Sequence, residues 1–526
     1  MSSKVEKQFG SKQTSLNMIS QIISFAINLA ISFFLTPFIV GRLGEDAYGF
    51  IGLSSNFISY ATLITTAINS MAGRFIAVAY YKNQTDDVIK YYSSVIIANV
   101  VLCFVLSIPA LFIILFLPKI LNVPSHLIQD VTALFILVFS HFFIDLIGNT
   151  FSNAGYVVNR LDMVAMRKTE ATILKGLLSF AIFILLIPRL WYIGLIQIAC
   201  SCYNFLRNYQ IHRKLMPEIR VNVKKFDMHK ILELLSSGVW NTVSSAGSVI
   251  ISGLDLLIVN LSFSAAVAAT AMGIVSIAKQ IPIYIQALVV TLGNVFSPKQ
   301  TKLYAEKNYE GMKSTLMYSS KFVAMITAIP VVFMLVYGKN FFSLWVPDQD
   351  SHLLWLIASV AVVLYPIQLV TCTFSAVVSA ANKVRENSLA TIAFALAGLG
   401  TMFALLQIAP NDTVKMLIIV GTSMVFLSLQ SLIFLIPYCS KIIGSKMAGY
   451  YLVLLRSVVA VALSVGACYG ISIVFKASGW ITLIASGMIT CVICIAISLA
   501  VILNKNDRAT VFGALKKFTN KLLRRK

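Results

Sequence analysis

Apolar runs of roughly 20 residues or more recur from one end of the chain to the other, separated by short polar segments. Fourteen can be marked, near 16–40, 46–72, 91–117, 128–156, 168–187, 190–210, 232–261, 264–296, 315–337, 351–380, 388–408, 413–438, 449–474 and 479–503. Each is long enough to cross a ~30 Å hydrocarbon core as a helix, the element that satisfies its own backbone hydrogen bonds where no water is present. The runs at 264–296 and 351–380 exceed one crossing, so they are expected to tilt, kink or extend beyond the bilayer.

Within this pattern the chain repeats. Thr150-Phe151-Ser152, followed by Asn159-Arg160, returns 223 residues later as Thr373-Phe374-Ser375 and Asn382-Lys383. The same offset, within a few residues, pairs Asn17 with Asn241, Ser20 with Ser244, Gly49 with Gly273, Tyr60 with Tyr284 and Arg74 with Lys299. It also pairs Tyr92-Ser93-Ser94 with Tyr318-Ser319-Ser320. The expected architecture is all-α and polytopic, with about fourteen transmembrane helices. Residues 1–225 form a first six-helix half, 226–440 a second, and 441–526 two further helices and a basic tail. Six is an even number, so both halves enter from the same side and the repeat is parallel.

Composition agrees with a membrane protein: 58% of residues are hydrophobic and 12% charged, against roughly half and a quarter in soluble domains. The basic residues set the orientation. With the N-terminus in the cytoplasm, the outside loops hold only Arg42, Lys119, Arg189, Lys339, Lys415 and Lys476, and Lys279 lies within a run. The rest of the 42 Lys and Arg fall on the inner side, as the positive-inside rule requires. Both termini are therefore expected in the cytoplasm. The net charge of +22 reads as topology and attraction to anionic membrane lipids, not as a nucleic-acid footprint. No cleavage site follows Lys4, Lys7 and Lys12, so the first run is expected to be an uncleaved helix. In the tail, Val511, Leu515, Phe518 and Leu522 alternate with Lys and Arg at helical spacing, as in a helix lying on the inner membrane surface.

Enzyme motifs are absent: the chain has no Walker sequence, GxSxG or HExxH, and no cofactor or metal is expected. The eight cysteines fall in or at the ends of runs, and Cys491 and Cys494 form a CxxC by letter only, inside an apolar helix. What remains is a short set of ionisable groups in the apolar runs, each expensive in hydrocarbon unless it meets a wet cavity or a partner. Lys279 lies near the middle of the eighth run, Asp255 in the outer part of the seventh, and Asp145 in the fourth, one turn after His141. Arg74 closes the second run and Lys175 lies about one turn inside the fifth, depths from which a basic side chain also snorkels to the interface. Asp145 with His141, and Asp255 with Lys279, form alternative structural pairs. Asn56, Asn69, Asn99, Asn149 and Asn241 either line the same cavity or bridge helices.

The stretch from Pro37 through Gly41 to Leu43-Gly44 and Tyr48-Gly49, together with Ala72-Gly73-Arg74-Phe75 and the Asn159-Arg160 turn, resembles polysaccharide flippases of the Wzx type. These belong to the multidrug/oligosaccharidyl-lipid/polysaccharide exporter superfamily. The resemblance covers residues 12–440, and the two additional helices are similar to those of the lipid II flippase branch. It implies a transporter, not an enzyme, in a bacterial inner membrane. Its substrate would be O-antigen or capsule repeat units on an undecaprenyl pyrophosphate carrier, with polysaccharide polymerase machinery as a further partner. Depth and charge then assign Lys279, Arg74 and Lys175 to substrate binding, and Asp255, Asp145 and His141 to a coupling H+ or Na+. The competing readings are an exporter of small amphipathic compounds, against which Lys279 counts, and a membrane glycan polymerase or ligase, against which the short outer loops count.

Overall fold

The computed structural model describes residues 11–504 and 507–508, and regular structure there is helical throughout, without strands. The helix expected over 511–522 lies outside the described residues. The first six long helices are α1 (Ser11–Leu43), α2 (Glu45–Tyr81), α3 (Thr85–Leu115), α4 (Ile128–Val157), α5 (Leu161–Leu185) and α6 (Tyr192–Leu215). The seventh run is broken into α7 (Met228–Ser252) and α8 (Asp255–Ser262). There follow α9 (Ala268–Gly293), α10 (Tyr309–Trp345), α11 (Ser351–Val362), α12 (Val384–Gln407), α13 (Asp412–Leu429), α14 (Ala448–Val474) and α15 (Trp480–Val501).

Among the described residues, 12 helices are long and apolar enough to cross a membrane. The fifth and sixth runs are helices of 25 and 24 residues, long enough to span but less apolar. Lys168, Glu170 and Lys175 interrupt α5, and Gln197, Asn204, Arg207 and Asn208 interrupt α6. The chain is a polytopic, all-helical membrane protein. Both overlong runs contain a proline, which removes a backbone donor, and the 351–380 run is interrupted after α11. Pro282 lies inside α9, and Pro366 opens the short helix Tyr365–Gln368 that follows α11.

The sequence repeat is also a repeat of backbone geometry. Among the described residues, four that are not glycine have positive φ: Asn83 (57°), Lys307 (56°), Asn159 (54°) and Asn382 (52°). They form two pairs at the repeat offset, 83 with 307 and 159 with 382. Each follows a helix end, and the bonds around it recur in register. Asn159 N donates to Tyr156 O and Arg160 N to Gly155 O; Asn382 N donates to Ser379 O and Lys383 N to Val378 O. A left-handed residue after a helix satisfies carbonyls that the helix leaves open, and asparagine adopts that conformation more readily than most residues.

By packing, the chain divides into Met1–Ile277 and Ala278–Lys526. This boundary falls inside α9, whereas the repeat divides at 225/226, because α7 packs along α2 and so joins the first unit. In that unit a buried cluster of Ile68, Ala72, Ile76, Tyr92, Val95, Ala154 and Leu234 ties α2, α3, α4 and α7 together. In the second unit α14 and α15 pack on α10, and Met312, Leu316, Phe374, Ile436 and Tyr450 share a core.

The N-terminal ends of α2 and α9 cross at very short range. A Cβ on Gly49 would lie 2.7 Å from Gly273 N, and one on Gly273 would lie 2.2 Å from Glu45 O. Thr270 Oγ1 donates to Asp46 Oδ1 at 2.6 Å, and a Cβ on Gly52 would lie 2.6 Å from Ser276 Oγ. Residues 46, 49 and 52 thus meet residues 270, 273 and 276, each its own repeat equivalent 224 positions on. Contact between equivalent positions is the mark of a local two-fold axis. The LGxxxYG stretch has its reason here: Gly44 takes φ 81° between α1 and α2, Tyr48 is buried against Thr36, and Gly49 admits α9. Gly49→Val is expected to destabilise the protein by about 1–3 kcal/mol through overpacking, read as a fall in thermal stability in detergent. Gly41→Ala, where a Cβ meets nothing within 4 Å, should leave stability unchanged.

Candidate functional site

Two antiparallel helices of the first unit, α2 and α7, carry a row of polar side chains. On α2, Ser55, Ser59, Thr62, Ser70 and Arg74 are exposed and Thr66 is half-buried. Steps of three and four residues place them on one helical face. On α7 the row is Ser237, Asn241, Ser244, Ser248 and Ser252, of which Ser237 and Ser248 are exposed. The helices pack closely between the rows, since a Cβ on Gly238 would lie 1.8 Å from Ala67 O. Asn241 Nδ2 donates to Ser70 Oγ at 3.2 Å, and Tyr60 Oη to Gly253 O at 2.7 Å.

The hydroxyls have a defined polarity. Ser59 donates to Ser55 O, Thr62 to Ile58 O, Thr66 to Thr62 O, Ser248 to Ser244 O and Ser252 to Ser248 O, at 2.8–3.2 Å. Each hydrogen is therefore spent within its own helix, and the oxygens remain as acceptors. The combined face offers hydroxyl acceptors, the Asn241 amide and, at one end, the Arg74 guanidinium. Such a face suits a ligand rich in hydroxyl donors with an anionic group at one end.

The seventh crossing breaks beside this face. Asp255 opens α8 and is 4% exposed, and its Oδ1 accepts from Leu256 N (2.9 Å) and Asn56 Nδ2 (3.4 Å). Below the break Tyr60 holds the Gly253 carbonyl. At the far end of α8, Asn122 and Asn260 form a reciprocal set: Asn122 N donates to Asn260 Oδ1 (2.9 Å) and Asn260 Nδ2 to Asn122 O (3.1 Å). Neither Asn122 nor Asn260 stood out in the sequence, because the pairing depends on a loop and a helix more than a hundred residues apart.

A second polar group lies between α4, α5 and α6. His141 Nδ1 is 3.7 Å from Asp145 Oδ2 and makes a short contact with Ser201 Oγ. Lys175 is near enough to act electrostatically on both His141 and Cys200. The fold therefore brings together His141, Asp145 and Lys175, which the sequence set apart as two coupling residues and one substrate ligand. Arg74 stands on the α2 face, and Asp255 meets Asn56. Lys279 lies half-buried on α9, between buried Ala278 and Gln280, at the start of the second unit.

The asparagines divide by burial. Asn56 and Asn241 belong to the polar face. Asn99 is fully buried and bridges three helices, donating to Asn69 Oδ1 (2.9 Å) and Thr150 Oγ1 (3.0 Å) and accepting from Asn69 Nδ2 (3.0 Å). The hydroxyl rows were not singled out from sequence, although their spacing, 55, 59, 62, 66, 70 and 237, 241, 244, 248, 252, carries the helical period.

No protein-family model matches this chain. It is 24% identical over 512 residues to the uncharacterized membrane protein EpsK of Bacillus subtilis (strain 168), covering 96% of this chain and 98% of that protein. The lipid II flippase MurJ, in an inward closed conformation, matches with a TM-score of 0.64 at 11% identity, over 92% of this chain and 99% of that one. A multidrug resistance MATE family transporter of the MOP superfamily, facing inward, matches with 0.58 at 13% identity, over 81% and 99%. A MOP superfamily transporter from Pyrococcus furiosus matches with 0.60 at 12%, over 84% and 99%. At these identities the likeness is one of fold.

The buried amide pair permits a double-mutant test. Asn99→Leu should cost about 1–3 kcal/mol by stranding Asn69 and Thr150. Adding Asn69→Leu should recover part of that loss, since replacing both partners removes most of the stranded polar surface; thermal unfolding of the two single variants and the double variant measures it.

Proposed function

We propose that this chain is a flippase for lipid-linked oligosaccharide, carrying repeat units of a surface polysaccharide on undecaprenyl pyrophosphate across a bacterial inner membrane by alternating access. The observation that carries this reading is the polar face of α2 and α7. Exposed hydroxyls at bilayer depth are costly against hydrocarbon and require water or a polar ligand. Acceptor oxygens in two rows match the donors of a glycan, and Arg74 matches a pyrophosphate at its reducing end. The apolar carrier stays in lipid and needs no such surface. The resemblance to Wzx-type flippases and the MurJ-like fold support the same substrate class.

In this reading Arg74 and Lys279 neutralise the pyrophosphate along its path. His141 and Asp145, 3.7 Å apart, form one coupling position for H+ or Na+ with Lys175 in electrostatic reach, and Asp255 at the helix break is a second. Both termini lie in the cytoplasm, where the basic segments meet anionic lipids. Export of small amphipathic compounds is favoured by the likeness to MATE transporters; Arg74 beside the acceptor rows argues against cationic cargo.

Deletion in the native bacterium should remove one surface glycan and leave its undecaprenyl-linked unit trapped on the cytoplasmic face of spheroplasts. Intact glycan with no trapped intermediate, in a strain lacking other flippases, transfers the assignment to small-molecule export. On complementation, Arg74→Gln and Lys279→Ala should each lower export at least about tenfold, the scale of one lost charge-assisted contact, at unchanged protein abundance. Full export by either variant removes that residue from the substrate path.

A further inference from the structure

Where α3, α4 and α6 meet the linker 216–222, the first unit forms a half-open cavity of about 360 Å³. Ile96, Phe151 and Tyr209 supply an apolar and aromatic wall, and Arg213 and Arg220 line the same space. Neither arginine has a hydrogen bond or ion pair with a described residue. Two unneutralised guanidinium groups on one cavity repel each other, and an anion between them relieves that repulsion.

The linker that carries Arg220 is held in place. Its Ile219 carbonyl accepts from His212 Nε2 (3.0 Å), and Ile219 N donates to Met216 O (3.1 Å). Asn222 N donates to Ser93 Oγ at 2.9 Å, and Asp227 N to Ser94 Oγ at 2.9 Å, which explains the serine pair after Tyr92. His212 is itself a cavity-lining residue, 1% exposed, and its Nδ1 has no partner. Its ring packs at 4.8 Å on Tyr92 and 5.5 Å on Phe151. With Nε2 donating to Ile219 O, Nδ1 of the neutral ring is an acceptor. An unpaired buried acceptor in the wall marks where a donor, such as a hydroxyl of an ester's alcohol, is accommodated. Tyr209, a lining residue that is 45% exposed, stands at the rim.

We propose that this cavity is a binding site for a phosphate ester, with Arg213 and Arg220 clamping the phosphate against the aromatic wall. Planar guanidinium groups match phosphate oxygens in pairs, and the pinned linker fixes the backbone that carries Arg220. The phosphate belongs either to an anionic phospholipid headgroup or to a soluble phosphate ester. The site does not depend on what the protein transports.

Full-length protein from micelles holding equal phosphatidylglycerol and phosphatidylcholine is examined by native mass spectrometry. In parallel, glycerol 3-phosphate is titrated calorimetrically in neutral detergent. Selective retention of phosphatidylglycerol, reduced at least about tenfold in Arg213→Gln/Arg220→Gln, assigns the lipid source. Glycerol 3-phosphate binding that the same variant abolishes assigns the soluble source. Ile96→Trp, which fills the cavity without changing charge, should have the same effect and decides the matter where the arginine variant does not fold. Equal retention and equal titration in wild type and Ile96→Trp overturn the proposal.

Discussion

Hydrocarbon neither donates nor accepts a hydrogen bond, so every polar group that this chain carries into its helices must find a partner in protein or face water. The structure answers that demand in three ways. Asn69 and Asn99 answer each other, with Thr150 as a third member. Serines and threonines along α2 and α7 give their hydrogens to carbonyls of their own helix. His141 and Asp145 are paired, with Lys175 beside them. What is left over after these accounts is informative: hydroxyl oxygens on an exposed face, and arginines at Arg74, Arg213 and Arg220. Surplus acceptors match hydroxyl donors, and surplus cations match anionic oxygens.

The close approach of helices follows from the same constraint. Between apolar helices in lipid the hydrophobic effect gives little drive, so association relies on packing and on hydrogen bonds made at short range. Gly238 lets α7 reach the backbone of α2 at Ala67, and Gly49 and Gly273 let α2 and α9 cross. These approaches bring Tyr60 to the Gly253 carbonyl and Asp46 to Thr270. A helix break such as that at Gly253 is tolerated because Tyr60 takes the freed carbonyl, and Asp255 Oδ1 accepts from Leu256 N in the first turn of the segment that follows. The polar face, the break and the crossing are therefore one arrangement, held together by glycine positions.

Much of this was legible in the chain. Helices were legible because only twenty or so consecutive apolar residues cross a bilayer, and the length of the 351–380 run announced that it is not one straight helix. The repeat was legible because a turn needing a left-handed residue constrains residue type: asparagine returns at 159 and 382, and these turn out to share φ and hydrogen bonds. The fifth and sixth runs are less apolar than the others, and between them Arg207 of α6 pairs with Glu170 of α5.

The site was less legible. Lys175 read by itself is a basic residue near an interface, and only the packing of α4, α5 and α6 places it with His141 and Asp145. Hydroxyl rows are visible as a spacing, yet serine is common in membrane helices, and exposure alone separates a lining row from a bridging one. By itself the sequence determined that the chain is helical and polytopic, the order of its apolar runs, and which turn positions correspond between halves, since these rest on local length, period and backbone conformation. Which corresponding positions touch, which asparagines are buried, and which arginines share a cavity were decided by tertiary structure alone. Those depend on distances between residues far apart in the chain, and equivalence in sequence becomes contact only where two helices cross at their common axis.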